Sequence, residues 1–175
     1  MDYFFETEHL RARRFAADDA QPLYKYHLEE NVKRWIPNES YADIEEAQRA
    51  IDYYIGCVSN RHLPYVLAVE LKETGELIGD TGINEVEGQG SKVEIGYVIS
   101  GKYSGRGLAT ELLNAMTEFV FSSFETDVIY ARVLRGNYAS TRVLEKNGYV
   151  FVEEELGAED DPYGNGVLIF KKECS

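Results

Sequence analysis

The segment Lys102-Tyr103-Ser104-Gly105-Arg106-Gly107-Leu108-Ala109-Thr110 lies where an apolar, β-rich run ends and a run of helical periodicity begins. Backbone N–H groups in the first turn of a helix have no partner within it, and the aligned peptide dipoles add partial positive charge, so such a junction attracts phosphate. Gly105 and Gly107 let the backbone approach an anion with no Cβ in the way, and Ala109 and Thr110 keep the first helical turn slim. Taken alone, a Gly-x-Gly-x-Ala turn is a weak signal, since a plain structural turn meets it too. Spacing excludes two better-known phosphate loops. A P-loop needs Gly-Lys-Ser or Gly-Lys-Thr at the helix start, whereas here the lysine precedes the glycines. A dinucleotide-binding turn needs Gly-x-Gly-x-x-Gly after the first strand of a βαβ unit, with an acidic residue closing the second strand, and neither condition is met.

Local turn signals, among them Thr74-Gly75, Gly88-Gln89-Gly90, Gly101, Gly136 and Asp161-Pro162, cut the chain into the elements that must position this turn. His9 to Phe15 is expected as a first strand, followed by a helix capped by Asp18 or Asp19 and running to about Glu30. Asp43, spaced to Glu46 as in a capping box, starts a second helix that places Ile44, Ala47, Ile51, Tyr54 and Ile55 on one face. Tyr65 to Leu71 and Leu77 to Asn84 form a hairpin, and Val93 to Ile99 leads into the glycine turn and a helix from about Arg106 to Ser122. Val128 to Leu134, a short helix from Asn137 to Lys146, and strands over Tyr149 to Leu156 and Val167 to Lys171 complete the order β-α-α-β-β-β-α-β-α-β-β. Hairpins dominate, while the passage from Val93 to Leu134 supports a parallel crossover. The expectation is an α/β fold with a central mixed, mostly antiparallel twisted sheet flanked by about four helices, in one domain over residues 1–175.

The chain carries a net charge of −13, which argues against a general nucleic-acid or anionic-membrane binder. Between Lys92 and Lys146 there are seven basic residues against six acidic ones, so the remainder carries −14. An acidic body around a near-neutral centre suits an anionic cofactor within and a cationic substrate from outside; an acidic surface that merely keeps the protein soluble is the plain alternative. No apolar run approaches the roughly 20 residues of a membrane span, and Cys57 and Cys174 have no disulfide or zinc-site spacing, so a reduced cytoplasm without a bound metal is expected.

Lys102-x-x-Gly105-x-Gly107-x-Ala109 resembles the Gln/Arg-x-x-Gly-x-Gly/Ala acetyl-CoA signature of the GNAT superfamily of N-acetyltransferases. Downstream, Asn137-x-x-Ser140-x-x-Val143-Leu144-Glu145-Lys146-x-Gly148-Tyr149 is similar to the Asn-x-x-Ser and Lys-x-Gly-Phe pattern of the branch that contains RimJ and RimL, the ribosomal-protein N-terminal acetyltransferases. Glu94-Ile95-Gly96-Tyr97 resembles the same branch, so the likeness covers roughly Val93 to Tyr149. Lys102 stands where the family usually has Arg or Gln; because the turn acts mainly through its backbone, the departure weighs little.

The resemblance implies acetyl-CoA as co-substrate and a primary amine as acceptor, either a protein N-terminus or a small cationic amine, in a monomer or homodimer. Attack is direct, without an acyl-enzyme. It assigns the pyrophosphate to N–H groups over Ser104, Gly105, Arg106, Gly107, Ala109 and Thr110, and the pantetheine arm to the strand edge at Val98, Ile99 and Ser100, where an N–H near Val98 polarises the thioester. Arg106, Arg142 and Lys146 either add charge there or are simply solvated, and Asn137 serves as helix cap, cofactor contact or both. Ser140 matches the candidate proton donor to the departing sulfur. Glu94 is a candidate base, directly or through water, or else pairs with a basic residue of a neighbouring strand; Glu159, Asp160 and Asp161 form an acidic loop that either approaches the amine or is simply solvated. Trp35, Asn84 and Tyr97 fall where that fold builds its acceptor pocket, with packing in the core the alternative for Trp35. His9, His27 and His62 have no motif context and are expected to be satisfied or exposed surface histidines. A non-catalytic acyl-CoA-binding module that keeps the turn but lacks a working acid and base is the alternative reading.

Overall fold

A computed structural model describes residues 2–86 and 88–175. Eight strands form one sheet in the order β1-β2-β3-β4-β5-β6-β8-β7, with β1 Tyr3–Glu6, β2 Leu10–Arg13, β3 Tyr65–Leu71, β4 Leu77–Glu85, β5 Lys92–Ile99, β6 Val128–Leu134, β7 Val150–Glu155 and β8 Val167–Glu173. Every neighbouring pair is antiparallel except β5 and β6, which run parallel because helix α4, Leu108–Ser123, carries the chain across between them. The mixed sheet is as expected; the described residues form five α-helices, one more than the periodicity suggests.

The extra helix arises where one long helix was expected. α1, Ala20–His27, ends at Leu28, and α2, Glu30–Trp35, starts afresh after Glu29, whose backbone is extended at φ −61° and ψ 137°. Asp19 precedes α1 but does not cap it. Its carboxylate instead accepts from Arg13 Nη1 at 2.8 Å and Nη2 at 3.1 Å, while Arg13 Nε donates to Glu70 at 2.7 Å. All three charged residues are buried, so this network joins β2, β3 and the start of α1. Asp43 does cap α3, Ile44–Ser59, accepting the Glu46 N–H at 2.8 Å.

Strand alternation gives the sheet two buried faces. On one, Ile95, Ile129 and Val133 pack with Leu113, Met116 and Val120 of α4 and Leu144 of α5, Tyr138–Lys146. On the other, Ala68 and Val98 pack with Leu23 of α1 and Ala47 and Ile51 of α3. Among the described residues no helix is long and apolar enough to cross a membrane, and no group of three or more His, Cys, Asp or Glu is placed to hold a metal.

β4 and β5 approach unusually closely at Gly79, where a Cβ would lie 2.0 Å from the Val98 carbonyl oxygen. Gly79→Ala is therefore expected to displace the end of β5 and destabilise the fold by about 1–3 kcal/mol, measured by urea denaturation. Arg13→Ala leaves Asp19 with only the Ala16 N–H and Glu70 with only Arg11 at 3.6 Å and the Tyr3 hydroxyl, and is expected to cost about 2–4 kcal/mol in the same measurement; a loss below about 1 kcal/mol would show that the network does not hold these elements together.

Candidate active site

β5 and β6 pair only from Lys92↔Val128 to Ile95↔Ala131. Beyond that point β5 continues along β4 to Ile99 and β6 continues along β8 to Leu134, so the two strands part inside the sheet. The Ser100 N–H donates to the Ile78 carbonyl at 2.8 Å, on the β4 side, and the Ser91 carbonyl accepts from Asp127, on the β6 side. Alternation between these anchors turns the backbone groups of Gly96 and Val98 toward β4, and those of Tyr97 and Ile99 toward the opening. The N–H expected from Val98 is thus committed to the sheet, and the free strand edge belongs to Tyr97 and Ile99.

A cavity of about 760 Å³ occupies this opening and reaches both faces of the sheet. At its glycine-turn end, Gly105 and Gly107 take positive φ of 79° and 75°, conformations favourable to glycine, and a Cβ on either would meet nothing within 4 Å. Among the described residues, no N–H from Gly105 to Thr110 donates to a protein acceptor; the first bond into this segment is from Glu111 N–H to the Gly107 carbonyl. That leaves a fan of free donors at the N-terminus of α4, which fits a phosphate.

Three expected cofactor contacts are otherwise engaged. The N–H and hydroxyl of Ser104 both donate to the Gly101 carbonyl, at 3.1 Å and 2.8 Å. Ser100 directs its hydroxyl to Glu29 at 2.7 Å. The Arg106 side chain lies over the Tyr103 ring and lines a separate shallow cleft with His9 and Lys72, so only its backbone remains in the turn. Arg142 and Lys146 line the main cavity, as do Ala109, Thr110 and Asn137. Asn137 caps α5 by accepting the Ser140 N–H at 3.3 Å, so the capping role is present alongside a place in the cavity wall.

On the α4–α5 face, Ser140 Oγ and Tyr97 OH lie 3.3 Å apart. Burial raises the Tyr97 pKa, opposed by the Ser140 hydrogen bond, so the phenol is protonated at neutral pH. Tyr97 therefore joins Ser140 rather than the acceptor-side residues. The opposite face carries Asn84 and Glu94, directly paired across β4 and β5, with Trp35 in the wall. Trp35 is half-buried and packs near Gly136, with Arg34 over its ring.

Glu94 lies 3.7 Å from Arg132 of β6, so it does pair with a basic residue of the neighbouring strand, and it also lines the cavity. Burial raises its pKa, Arg132 opposes this, and the nearby carboxylates Asp160 and Glu155 reinforce it. Arg132 is itself held by Asp160, at 3.0 Å and 2.8 Å. Of the acidic loop, Asp160 reaches the cavity, Glu159 faces solvent, and Asp161 is turned inward to accept three backbone N–H groups, from Tyr163, Gly164 and Gly166.

Deeper on this face is a group that sequence reasoning missed. Asp80 of β4 is buried, lines the cavity, and accepts from Tyr26 OH and from His27 Nε2 at 3.0 Å. His27 is thus a core residue, 1% exposed. Burial works against its charged form, but Asp80 outweighs this and raises its pKa. Glu39 lines the same cavity from an exposed position, where desolvation and Asp80 raise its pKa and His27 opposes the rise. Tyr41 and Tyr54 complete an aromatic wall, their hydroxyls 3.5 Å apart. The available signal was Asp80 itself, a carboxylate inside the otherwise apolar and small run Leu77-Ile78-Gly79-Asp80-Thr81-Gly82-Ile83, which cannot be buried there without partners.

Residues 9–150 match the acetyltransferase (GNAT) domain family. Over 150 residues the chain is 28% identical to the uncharacterized N-acetyltransferase p20 of Bacillus licheniformis, an alignment that covers 86% of this chain and 83% of that protein. Its backbone is similar to that of the ribosomal-protein-S5-alanine acetyltransferase of Vibrio fischeri, with a TM-score of 0.84 at 20% identity over 97% of this chain and 95% of that one. It is also similar to Mycobacterium smegmatis RimJ in complex with CoA-disulfide, with a TM-score of 0.83 at 20% identity over 94% and 82% of the two chains. At these identities the solved structures speak for the fold, and the domain match speaks for the family. A glycine turn with free N–H donors, a sheet that opens beside it and a match over most of the chain agree: the protein belongs to the GNAT family and is an acetyltransferase.

Proposed function

We propose that the protein transfers the acetyl group of acetyl-CoA to a primary amine, either a protein N-terminus or a small cationic amine, in the cytoplasm. The observation that carries this reading is the continuity of one cavity from the free N–H groups at Gly105 to Thr110, through the opening between β5 and β6, to Glu94 and Asp80. The donor set fits acetyl-CoA. Free N–H groups and the basic side chains of Arg142 and Lys146 suit the pyrophosphate, and the unpaired edge at Tyr97 and Ile99 suits the amides of the pantetheine arm.

Acetyl-CoA, when bound, supplies an activated acetyl thioester. The protein's residues then divide the proton transfers between the two faces of the sheet. On the α1–α3 face, Glu94 removes the proton from the incoming ammonium, directly or through water, and its raised pKa makes it the stronger base. Asp80, Glu39 and the walls formed by Trp35, Tyr41 and Tyr54 favour a cation there. On the other face, Tyr97 and Ser140, their hydroxyls 3.3 Å apart in the cavity wall, would supply the proton to the departing thiolate. A phenol, with an ordinary pKa of about 10, lies much nearer a thiol at about 8.5 than a serine hydroxyl does, so Tyr97 is the better matched donor and Ser140 orients it. The Tyr97 or Ile99 N–H polarises the carbonyl.

Thiol release in the presence of acetyl-CoA and a panel of N-terminal peptides, diamines and polyamines tests the reaction, with acetylated product identified by mass spectrometry. No turnover above background with any amine would defeat the reading. Ser140→Ala and Tyr97→Phe are each expected to lower kcat by about tenfold or more, and the double variant to lose less than the product of the two, because the hydroxyls act as a pair. For the wild type, kcat/KM should rise with pH through the pKa of Glu94, which lies above the ordinary 4.5, since the base must be ionised. In Glu94→Gln the rate should fall about 100-fold and this acidic limb should vanish, leaving the limb set by the amine itself. An unchanged limb would remove Glu94 from the role of base.

A further inference from the structure

We infer that Glu29 is a positioning residue: from the break between α1 and α2 its carboxylate fixes the junction of β5 with the glycine turn and so sets cofactor affinity. The inference rests on the reading of that turn as the CoA site. Each carboxylate oxygen has its own partner at the junction. Oε2 accepts the Ser100 hydroxyl at 2.7 Å, and Oε1 accepts the Gly101 N–H at 2.7 Å. The Ser100 hydroxyl in turn accepts the Lys102 N–H, and the Gly101 carbonyl receives both the N–H and the hydroxyl of Ser104. A continuous chain of hydrogen bonds therefore runs from Glu29 to Ser104, the residue immediately before the first free donor, Gly105.

The other end of Glu29 is equally fixed. Its carbonyl accepts the Lys33 N–H at 3.0 Å and starts α2, whose Val32 and Trp35 line the same cavity on the acceptor side. One residue thus joins the acceptor wall to the entrance of the cofactor turn. Simple electrostatics opposes a carboxylate beside a site for phosphate. Its presence there makes sense when rigid placement of the turn contributes more than the repulsion costs, since charge-assisted bonds are the stronger ones and pre-organised donors avoid an ordering penalty on binding.

The test is calorimetric titration of the full chain with CoA, together with steady-state kinetics in acetyl-CoA. Glu29→Ala is expected to raise the CoA Kd about tenfold and the acetyl-CoA KM in step, with kcat at saturation within about threefold of wild type. Glu29→Gln, which keeps one acceptor, should fall between the two. Ser100→Ala should weaken CoA binding in the wild type but add nothing to Glu29→Ala, because its hydroxyl acts through the same carboxylate. A lowered melting temperature with CoA affinity within twofold of wild type would make Glu29 purely structural and overturn the inference. Should Glu29→Ala not fold, Glu29→Gln and Ser100→Ala decide by the same readout. Absence of CoA binding in the wild type would instead defeat the functional reading beneath this one.

Discussion

The parting of β5 and β6 beyond Ile95 and Ala131 is the constraint on which the rest of the site depends. Backbone groups inside a sheet are ordinarily paired, and unpaired ones are costly unless water or a ligand meets them. Here the loss is confined to a few groups because each strand keeps its outer partner, β4 for β5 and β8 for β6. The gap is held open rather than merely left open. The chain leaves β6 through Gly136, against which the Trp35 ring packs, and at once enters α5 under the Asn137 cap. The result is an edge with free donors inside a sheet that is otherwise complete, a few residues from a helix N-terminus whose donors are also free.

Because the opening passes through the sheet, the strand alternation that builds two hydrophobic faces also separates two kinds of chemistry. Odd-numbered positions of β5 face α4 and α5, so Tyr97 meets Ser140; even-numbered positions face α1 to α3, so Glu94 stands beside Asn84 and near Arg132. The Glu94 carboxyl and the Tyr97–Ser140 hydroxyl pair are thereby kept on opposite faces of the sheet, beside the same opening. This arrangement follows from the period of two in a strand together with one break in the pairing. Arg132 adds restraint: it is bound by Asp160 and Glu155, yet near enough to Glu94 to limit how far burial raises that carboxyl.

What the sequence made legible was whatever local chemistry decides. Tyr65–Leu71 and Val128–Leu134 are apolar, β-branched runs bounded by turn signals, and Tyr138–Lys146 follows directly from its Asn137 cap. The glycine turn was legible because positive φ and small side chains leave a mark in residue types. What stayed hidden depends on contacts between distant residues. The helix expected to run through to Glu30 breaks at Leu28 and Glu29, where the Glu29 side chain turns to partners some 70 positions away. The choice of Tyr97 and Ile99 over Val98 depends on the pairing parity of β5, which no residue type announces. β1 was overlooked because four residues at an edge carry too little pattern, and Asp80 because its partners Tyr26 and His27 lie on a helix that shows no motif.

The acidic character of the chain poses a last physical question, since its net charge of −13 should repel an anionic cofactor. Screening answers part of it: at physiological ionic strength exposed charges fade beyond about 8 Å, so the acidic body is felt only weakly in the cavity. The local arrangement answers the rest. The glycine-turn end of the cavity presents neutral N–H donors, which need no counter-charge, beside Arg142 and Lys146. The acceptor end presents Glu39, Asp80, Glu94 and Asp160, with Arg132 as the basic residue among them. Charge is therefore divided along a single cavity, with free N–H donors and basic side chains at one end and carboxylates at the other. Because the donors from Gly105 to Thr110 are backbone groups without net charge, neighbouring carboxylates do not neutralise them as they would a lysine or arginine.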